Sequence, residues 1–257
     1  MPLLGGKRQD GQDRPGRDRL VRHPGTRNIQ CMSVVRMMNT VDAVARLAQA
    51  AYDGDTPLVA RLLGEGVAVD GLNSGGRTAL DLAVQRGHDE VVRLLVGAGA
   101  DLEQRAGEYG ESTPLCLAAL EGHTAVVGVL LDAGVHPESR NGFGHAPLVL
   151  AATAGAEGHP DTVDLLVDRG ADIDVLMKDR TPLDWAAGFG QVRMVHQLLG
   201  RGATPTAQAL ALAREHAERY PESRQKFERV IDVLRAAGAT PGTDQAARQS
   251  FRREEGN

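Results

Sequence analysis

Histidine is the residue type in this chain best suited to chemistry, since imidazole can ligate zinc or transfer a proton near neutral pH. The chain has eight histidines, and His88, His123 and His159 each follow a glycine, at intervals of 35 and 36 residues. Two nitrogens on one zinc ion lie at most about 4.2 Å apart, whereas helices of successive repeating units stack about 8–10 Å apart. These histidines are therefore predicted to form a ladder of structural groups, each at the start of a helix, and not a metal site.

Other residues that could be catalytic are poorly placed for it. Cys116 lies between Leu115 and Leu117, which predicts a buried, unreactive thiol. Asp81 and Asp184 occupy equivalent positions three units apart, roughly 30 Å, whereas the carboxylates of a glycosidase are about 5–9.5 Å apart. The sequence has no HExxH, GxSxG or GxxxxGK[ST] motif. We predict no catalytic residue, no metal and no cofactor, and hence that the protein is not an enzyme.

Composition places the chain among globular proteins. Of its 257 residues, 25% are charged and 42% are hydrophobic. Its apolar runs are far shorter than the roughly 18 residues of a membrane-spanning helix, and its first residues are too charged for a secretory signal. The two cysteines, Cys31 and Cys116, form no CxxC pair, which excludes a disulfide framework and fits a reducing compartment. We expect a cytoplasmic protein that is a monomer.

Charge is distributed unevenly along the chain. Residues 1–39 carry eight Lys or Arg against three Asp, whereas residues 40–239 carry 18 basic residues against 28 acidic ones. An acidic body disfavours nucleic-acid binding, which depends on neutralising phosphates. We predict that residues 1–39 form a disordered basic arm and residues 240–257 a disordered tail. A further alternative is that synthesis starts at an internal methionine: Met32, Met37 or Met38.

Glycines recur through residues 40–239 with a nearly constant period. One series has intervals of 33, 35, 36 and 32 residues: Gly54, Gly87, Gly122, Gly158 and Gly190. A second series keeps step with it and follows a Leu-Leu or Val-Leu pair: Gly66, Gly99, Gly134, Gly170, Gly202 and Gly238. Two series in register indicate that one structural unit is copied along the chain.

The sequence of each unit is typical of two short helices followed by a turn that leads to the next unit. Thr113-Pro114 predicts a helix start, because threonine caps free N–H groups and proline suits the first helical position. Gly122 predicts its end, since glycine accepts the left-handed conformation of a helix C-terminus. A second helix follows, with apolar residues at helical spacing. Between units, Asn141-Gly142 predicts a tight, hairpin-like turn.

These units resemble the ankyrin repeat, whose signature is T-P-L-H-x-A. The matching segments are Thr78-Ala79-Leu80-Asp81-Leu82-Ala83, Thr113-Pro114-Leu115-Cys116-Leu117-Ala118, Ala146-Pro147-Leu148-Val149-Leu150-Ala151 and Thr181-Pro182-Leu183-Asp184-Trp185-Ala186. Repeats are predicted over residues 41–70, 73–103, 106–138, 141–174 and 178–205. The resemblance implies an all-α ankyrin-repeat solenoid of about five repeats plus a degenerate C-terminal capping helix pair, with hairpin-like turns, over residues 40–239.

The fourth signature position departs from the family, which usually has His there. It holds Asp81, Cys116, Val149 and Asp184. The hydrogen bonds that this His makes to adjacent loops cannot be assumed, so we expect weaker coupling between repeats. Trp185 replaces a leucine of the other units and is predicted to lie in the core.

The resemblance implies binding through the concave face and turn tips, where ankyrin proteins usually hold partners. Exposed aromatic and arginine side chains anchor interfaces, and the predicted contact residues are Tyr52, Arg77, Arg86, Tyr109, Phe143, His145, Arg180 and Phe189. We therefore predict a non-catalytic protein–protein interaction module, an adaptor or an inhibitor, with an unidentified protein partner. The alternative role for the aromatics is to brace neighbouring turns.

Two alternative functions stay open. The Arg-rich arm could attach the protein to nucleic acid. An enzyme could be built on the loop insertions, where Glu111, Glu157 and His159 are the nearest candidates.

Overall fold

The computed structural model describes residues 41–104 and 112–240, and every regular element within them is helical. The α-helices are α1 (41–53), α2 (Thr56–Gly64), α3 (Ala79–Arg86), α4 (Asp89–Gly97), α5 (Pro114–Glu121), α6 (Thr124–Asp132), α7 (Pro147–Thr153), α8 (Pro160–Asp168), α9 (Pro182–Phe189), α10 (Val192–Gly200), α11 (Ala207–Arg219) and α12 (Arg224–Ala236). The predicted all-α architecture of paired helices is confirmed.

The predicted terminal segments are not part of this description. The basic arm over residues 1–39 and all but the first residue of the tail over 240–257 lie outside the described residues and stay predictions. Within residues 41–104 and 112–240, no helix has both the length and the apolar character needed to cross a membrane.

Threonine side chains start most of the first helices of the pairs. Thr78, Thr113, Thr181 and Thr206 each cap a helix by accepting a hydrogen bond from the backbone N–H three residues on. Such caps are each worth about 1 kcal/mol. Ala146 occupies the same position before α7 and has no side chain to accept that bond. The helix starts that the sequence predicts at Thr113 and Thr181 are therefore confirmed.

The helices form two layers. Consecutive first helices (α3, α5, α7, α9 and α11) pack against one another, and second helices form the other layer, which we call the outer layer: α2, α4, α6, α8, α10 and α12. Each of these eleven helices contributes one fully buried leucine: Leu62, Leu80, Leu95, Leu115, Leu130, Leu148, Leu166, Leu183, Leu198, Leu210 and Leu234. The core is thus a ribbon of leucines between the layers, continuous from one repeat to the next.

The predicted histidine ladder is present. His88, His123 and His159 are the N-cap residues of α4, α6 and α8. Through Nε2, His88 donates to the carbonyl oxygen of Tyr52 at 3.0 Å and His123 to that of Gln85 at 3.1 Å. His159 bonds the carbonyl of Leu120 in the same way at 3.0 Å. Each bond links a second helix to the end of the first helix in the preceding repeat.

Two further donors continue the ladder toward the C-terminus. Gln191 donates to the carbonyl oxygen of Gly155 at 3.4 Å, and Lys226 donates to that of Phe189 at 3.1 Å. Gln191 is the N-cap residue of α10, as the histidines are of their helices, whereas Lys226 donates from the first turn of α12.

Bonds to the adjacent loops are also present, although the family histidine is absent from the fourth signature position. Cys116 donates through Sγ to the carbonyl oxygen of Ser139 at 3.4 Å, and Asp184 accepts from the hydroxyl of Thr206. A thiol and a carboxylate at this position can thus each reach the next loop, whereas Val149 has no group to do so and the Asp81 carboxylate bonds Thr78 of its own repeat. The expectation of weaker coupling stays a prediction.

Acidic residues in the loops make a third link between repeats. Asp70 accepts from the backbone N–H of Asp101 at 3.0 Å, and Asp174 accepts from that of Thr204 at 3.0 Å. Glu138 and Asp172 form an equivalent pair, also at 3.0 Å. Part of the acidic charge of this body is therefore used to satisfy backbone donors of the next repeat.

We predict that the histidine ladder makes some glycines much less replaceable than others. Gly87 and Gly99 both have positive φ, 72° and 84°, so alanine costs about 1–2 kcal/mol of strain at either. A Cβ on Gly87 would lie 2.7 Å from Nδ1 of His123, whereas one on Gly99 would meet nothing within 4 Å. Gly87→Ala should therefore lower the free energy of unfolding by about 1 kcal/mol more than Gly99→Ala, since it displaces the His123 hydrogen bond.

Urea unfolding followed by circular dichroism measures both values, and Gly99→Ala is the matched control for backbone strain. Equal destabilisation of the two variants would show that the ring contact does not contribute.

Candidate binding surface

Two turns between repeats are built on an asparagine. Asn141 accepts through Oδ1 from the N–H groups of Phe143 and His145, at 3.0 and 2.9 Å, and its own N–H donates to the His145 carbonyl at 3.2 Å. Asn73 makes the same bonds across residues 73–77. The hairpin-like turn predicted at Asn141 is confirmed, and it holds Phe143 at its tip.

A third turn is one that sequence reasoning missed. Met177 and Arg180 form a two-residue hairpin in which their backbone groups bond each other at 2.9 and 3.1 Å. Lys178 and Asp179 between them have positive φ, 50° and 58°. Such turns normally carry Asn, Asp or Gly, and Asp179 fits this preference whereas Lys178 does not, so the local signal was too weak to predict the turn. It exposes Lys178 and Asp179 at its tip.

Three predicted contact aromatics are exposed. The exposed fraction is 38% for Tyr52 in α1, 60% for Phe143 and 48% for Phe189 at the end of α9. The fourth, Tyr109, lies outside the described residues.

The predicted polar contact residues differ in exposure. Arg86 is exposed, whereas Arg77, His145 and Arg180 are half-buried at the edge of their turns.

Two of the arginines stack on aromatic rings. The guanidinium of Arg86 lies 4.9 Å from the centre of the Tyr52 ring, and that of Arg180 lies 4.9 Å from the Trp185 ring. Trp185 also stacks on Phe189 with ring centres 6.1 Å apart, and its Nε1 donates to the Met177 carbonyl at 3.2 Å.

The prediction that Trp185 lies in the core is therefore corrected. Its side chain is half-buried, as are those of Leu117 and Leu150 at the equivalent positions. The indole packs against the core at one edge, and its polar nitrogen needs the Met177 carbonyl at the other, which holds the ring at the surface.

Neighbouring turns approach each other at Phe143. The Phe143 and His145 rings have centres 5.7 Å apart. Burial lowers the pKa of His145, and the positive charge of Lys178 lowers it further, which places the two turns within electrostatic reach. Phe143, His145, Lys178, Arg180 and Trp185 thus occupy two adjacent repeats, whereas Tyr52 and Arg86 lie toward the other end of the stack.

Exposed large hydrophobic side chains are confined to one part of the molecule. Within the described residues they all lie in a first helix, at its end or in a turn, and none lies in the outer layer: Val41, Tyr52, Leu72, Leu120, Phe143, Leu176, Phe189 and Tyr220. We call the surface made by turns 73–77, 141–145 and 177–180 and the exposed sides of the first helices the inner face.

The outer layer carries ion pairs instead. Arg169 contacts Asp132 at 2.7 Å between neighbouring repeats, and Arg201 contacts both Asp164 and Asp168. A side chain that is already paired with a charge offers less to a partner.

Two buried groups that could have been reactive are structural. Cys116 is a buried, free thiol, and burial raises its pKa, which keeps it protonated. Asp81 is buried and closes a capping box with Thr78 at the start of α3. Across residues 41–104 and 112–240, no cluster of three His, Cys, Asp or Glu side chains is arranged to hold a metal ion.

Stacked helix pairs with an exposed apolar inner face define a repeat-built scaffold for protein interaction. The chain belongs to the ankyrin repeat family: the family model "Ankyrin repeats (3 copies)" matches residues 47–141 and 115–209. Among solved structures it is similar to the ankyrin repeat domain of Bcl-3, described as a unique member of the IkappaB protein family. The two share 31% sequence identity with a TM-score of 0.63, over 76% of this chain and 86% of that chain.

We predict that Asp81→Asn changes stability in a pH-dependent way. Burial raises the pKa of Asp81 above its usual value of 3.8, so the folded state holds the proton more tightly than the unfolded state. The ionised carboxylate therefore destabilises the fold at neutral pH, and this penalty disappears as the pH falls through the folded pKa and then below 3.8. Asparagine keeps the acceptor for the Thr78 N–H without the charge. The unfolding free energy of Asp81→Asn relative to wild type should be higher at pH 7 than at low pH.

Chemical denaturation at both pH values gives this difference. The same substitution at Asp161, an exposed residue in the first turn of α8, controls for removing a carboxylate from a helix N-terminus. A relative stability of Asp81→Asn that is lower at pH 7 than at low pH would contradict the argument.

Proposed function

We propose that this protein is a non-catalytic interaction module, an adaptor or an inhibitor, that binds a protein partner through its inner face. The observation that carries the proposal is that Tyr52, Phe143 and Phe189 are exposed on that face, whereas no large hydrophobic side chain of the described residues is exposed in the outer layer. Exposed apolar groups gathered on one surface are typical of interaction sites. The proposed contact residues are Tyr52, Arg77, Arg86, Tyr109, Phe143, His145, Arg180 and Phe189.

The shape of the inner face supports this proposal at its N-terminal end. A shallow depression of about 290 Å³ is lined by Ala45, Gln49, Tyr52, Asn73, Ser74 and Leu82. An apolar side chain of a partner entering it would contact the Tyr52 ring and Leu82, as anchor residues do at the centre of protein interfaces.

The fold supports a binding role over a catalytic one. Ankyrin repeats are a non-catalytic interaction scaffold. Cys116, Asp81 and Asp184, the side chains considered for catalysis in the sequence, are a buried thiol and two helix-capping carboxylates. We propose that the protein acts in the cytoplasm as a monomer, and the free thiol of Cys116 is consistent with a reducing compartment.

Truncating the inner-face aromatics tests the proposal. The double variant Phe143→Ala/Phe189→Ala should lose at least about tenfold in partner affinity, since each ring is the kind of anchor that costs about 2 kcal/mol when removed. Stability should change little, because each ring is about half exposed and the stacked pair with Trp185 is worth about 0.5–1.5 kcal/mol. Affinity capture with the full chain as bait, scored by quantitative mass spectrometry, compares the variants.

The matched control truncates two exposed side chains of the outer layer, Arg93→Ala/Arg193→Ala. It should capture the same proteins as wild type. If the control loses the captured proteins and the aromatic variant retains them, the binding surface is on the other side of the molecule.

A further inference from the structure

Three arginines of the inner face are held in place without a carboxylate partner among the described residues. Arg86 stacks on Tyr52 and Arg180 on Trp185, each at 4.9 Å. Arg77 donates to Oε1 of Gln85 at 2.7 Å and to the carbonyl oxygen of Asp81 at 3.5 Å. No acidic oxygen of residues 41–104 or 112–240 forms a salt bridge with any of the three guanidinium groups.

This arrangement prepares each guanidinium to bind an anion. For Arg86 and Arg180, stacking on a ring holds the plane of the guanidinium group, whose N–H groups match a carboxylate in a bidentate contact. Arg77 is held instead by its bonds to Gln85 and Asp81, which use one N–H of each terminal nitrogen and leave the second N–H of each for an anion. Because the side chains are already ordered, less conformational entropy is lost on binding. In the outer layer, by contrast, Arg169 and Arg201 already bind carboxylates of this chain.

The described turns of the inner face are basic although the body is acidic. Turns 73–77, 141–145 and 177–180 carry Arg77, Lys178 and Arg180 against one carboxylate, Asp179, whereas residues 40–239 hold 18 basic and 28 acidic residues. Acidic loop residues such as Asp70 and Asp174 are occupied with backbone N–H groups of the next repeat. The three described turns of the inner face therefore carry more cations than carboxylates.

Between the arginines runs a stripe of apolar side chains. Leu82, Leu117, Leu150 and Trp185 hold equivalent positions in four successive repeats. Leu82 is 9% exposed, and the other three are half-buried, so the stripe can accept further apolar contacts. It extends from the repeat of Arg77 to the repeat of Arg180.

We propose that the partner binds this face as an extended acidic segment of polypeptide. Its carboxylates would pair with Arg77 and Arg180 at the two ends, and its apolar side chains would pack on the stripe between them. Three repeats at about 10 Å per layer separate the two arginines, and an extended chain advances about 3.3 Å per residue, so about nine residues span the site. This inference rests on the proposed function and specifies the chemistry of the partner.

A nucleic acid fits this surface less well. Tight binding to a phosphate backbone uses about 6–10 neutralised phosphates, more than the cations of the described turns can supply. The surrounding acidic body repels a polyanion, whereas a short segment with a few carboxylates and apolar side chains matches both features of the face.

Selection from a displayed library of random twelve-residue peptides tests the proposal, with the purified full chain as target. Enriched peptides should carry net negative charge together with apolar residues. Measured by fluorescence anisotropy, their affinity should fall at least tenfold for Arg77→Glu/Arg180→Glu and change less than twofold for Arg93→Glu in the outer layer. Both variants keep residues 1–39, so binding to the basic arm would be unaffected by either.

A reciprocal selection distinguishes a change in binding specificity from misfolding of the double variant. The same library is selected on the Arg77→Glu/Arg180→Glu variant, and the helical content of this variant is checked by circular dichroism. The enriched peptides should then carry positive instead of negative charge.

The remaining outcomes overturn the proposal in distinguishable ways. Enriched peptides without acidic bias that still lose binding to Phe143→Ala/Phe189→Ala would refute the acidic partner and leave the proposed function intact. Acidic peptides that bind all these variants equally would refute the inner face as the site, and with it the proposed function. The acidic partner is also refuted if no peptide is enriched, or if a twelve-nucleotide single-stranded DNA binds more tightly than the peptides and loses affinity in the arginine variant.

Discussion

A hydrogen bond from one repeat to the end of a helix in the repeat before it supports the whole structure. The helices are only seven to nine residues long in most repeats, below the roughly 12–15 at which an isolated helix becomes marginally stable. Each pair must therefore be stabilised by its neighbours. The donors His88, His123, His159 and Lys226 perform this role by satisfying a carbonyl that a helix C-terminus leaves free. Gln191 instead bonds a carbonyl of the loop that follows α7.

This contact also explains why the glycines accompany the histidines. At Gly87 the next imidazole occupies the space of a Cβ, so the glycine is required by the neighbouring repeat as well as by its own backbone conformation. The ladder contact between the fourth and fifth repeats has the least complete hydrogen bonding. Gln191 is buried, the bond it donates is 3.4 Å long, and its Oε1 has no hydrogen-bond partner among the described residues. That contact lies beside the extra residues 155–157 of the fourth repeat.

Stacking of this kind separates the molecule into two surfaces with different chemistry. In the outer layer, Arg169 and Arg201 pair with aspartates, and no large hydrophobic side chain of the described residues is exposed there. On the inner face, arginines lie on aromatic rings and apolar side chains stay open to solvent. Because the ladder fixes the spacing of repeats, these groups form a row whose positions relative to one another are set by the fold, which is what a binding surface requires.

The amino-acid sequence alone determined the repeat, the helix pairs and the ladder, because caps, prolines and glycines act on the backbone within a few residues. Asn141 predicted its turn for the same reason. Only the tertiary structure decided that Trp185 stays at the surface, that Lys178 and Asp179 form a tight turn, and that Arg86 stacks on Tyr52 from the preceding repeat. These features depend on groups that are distant in sequence or on strain that the surrounding packing compensates, and neither leaves a local pattern.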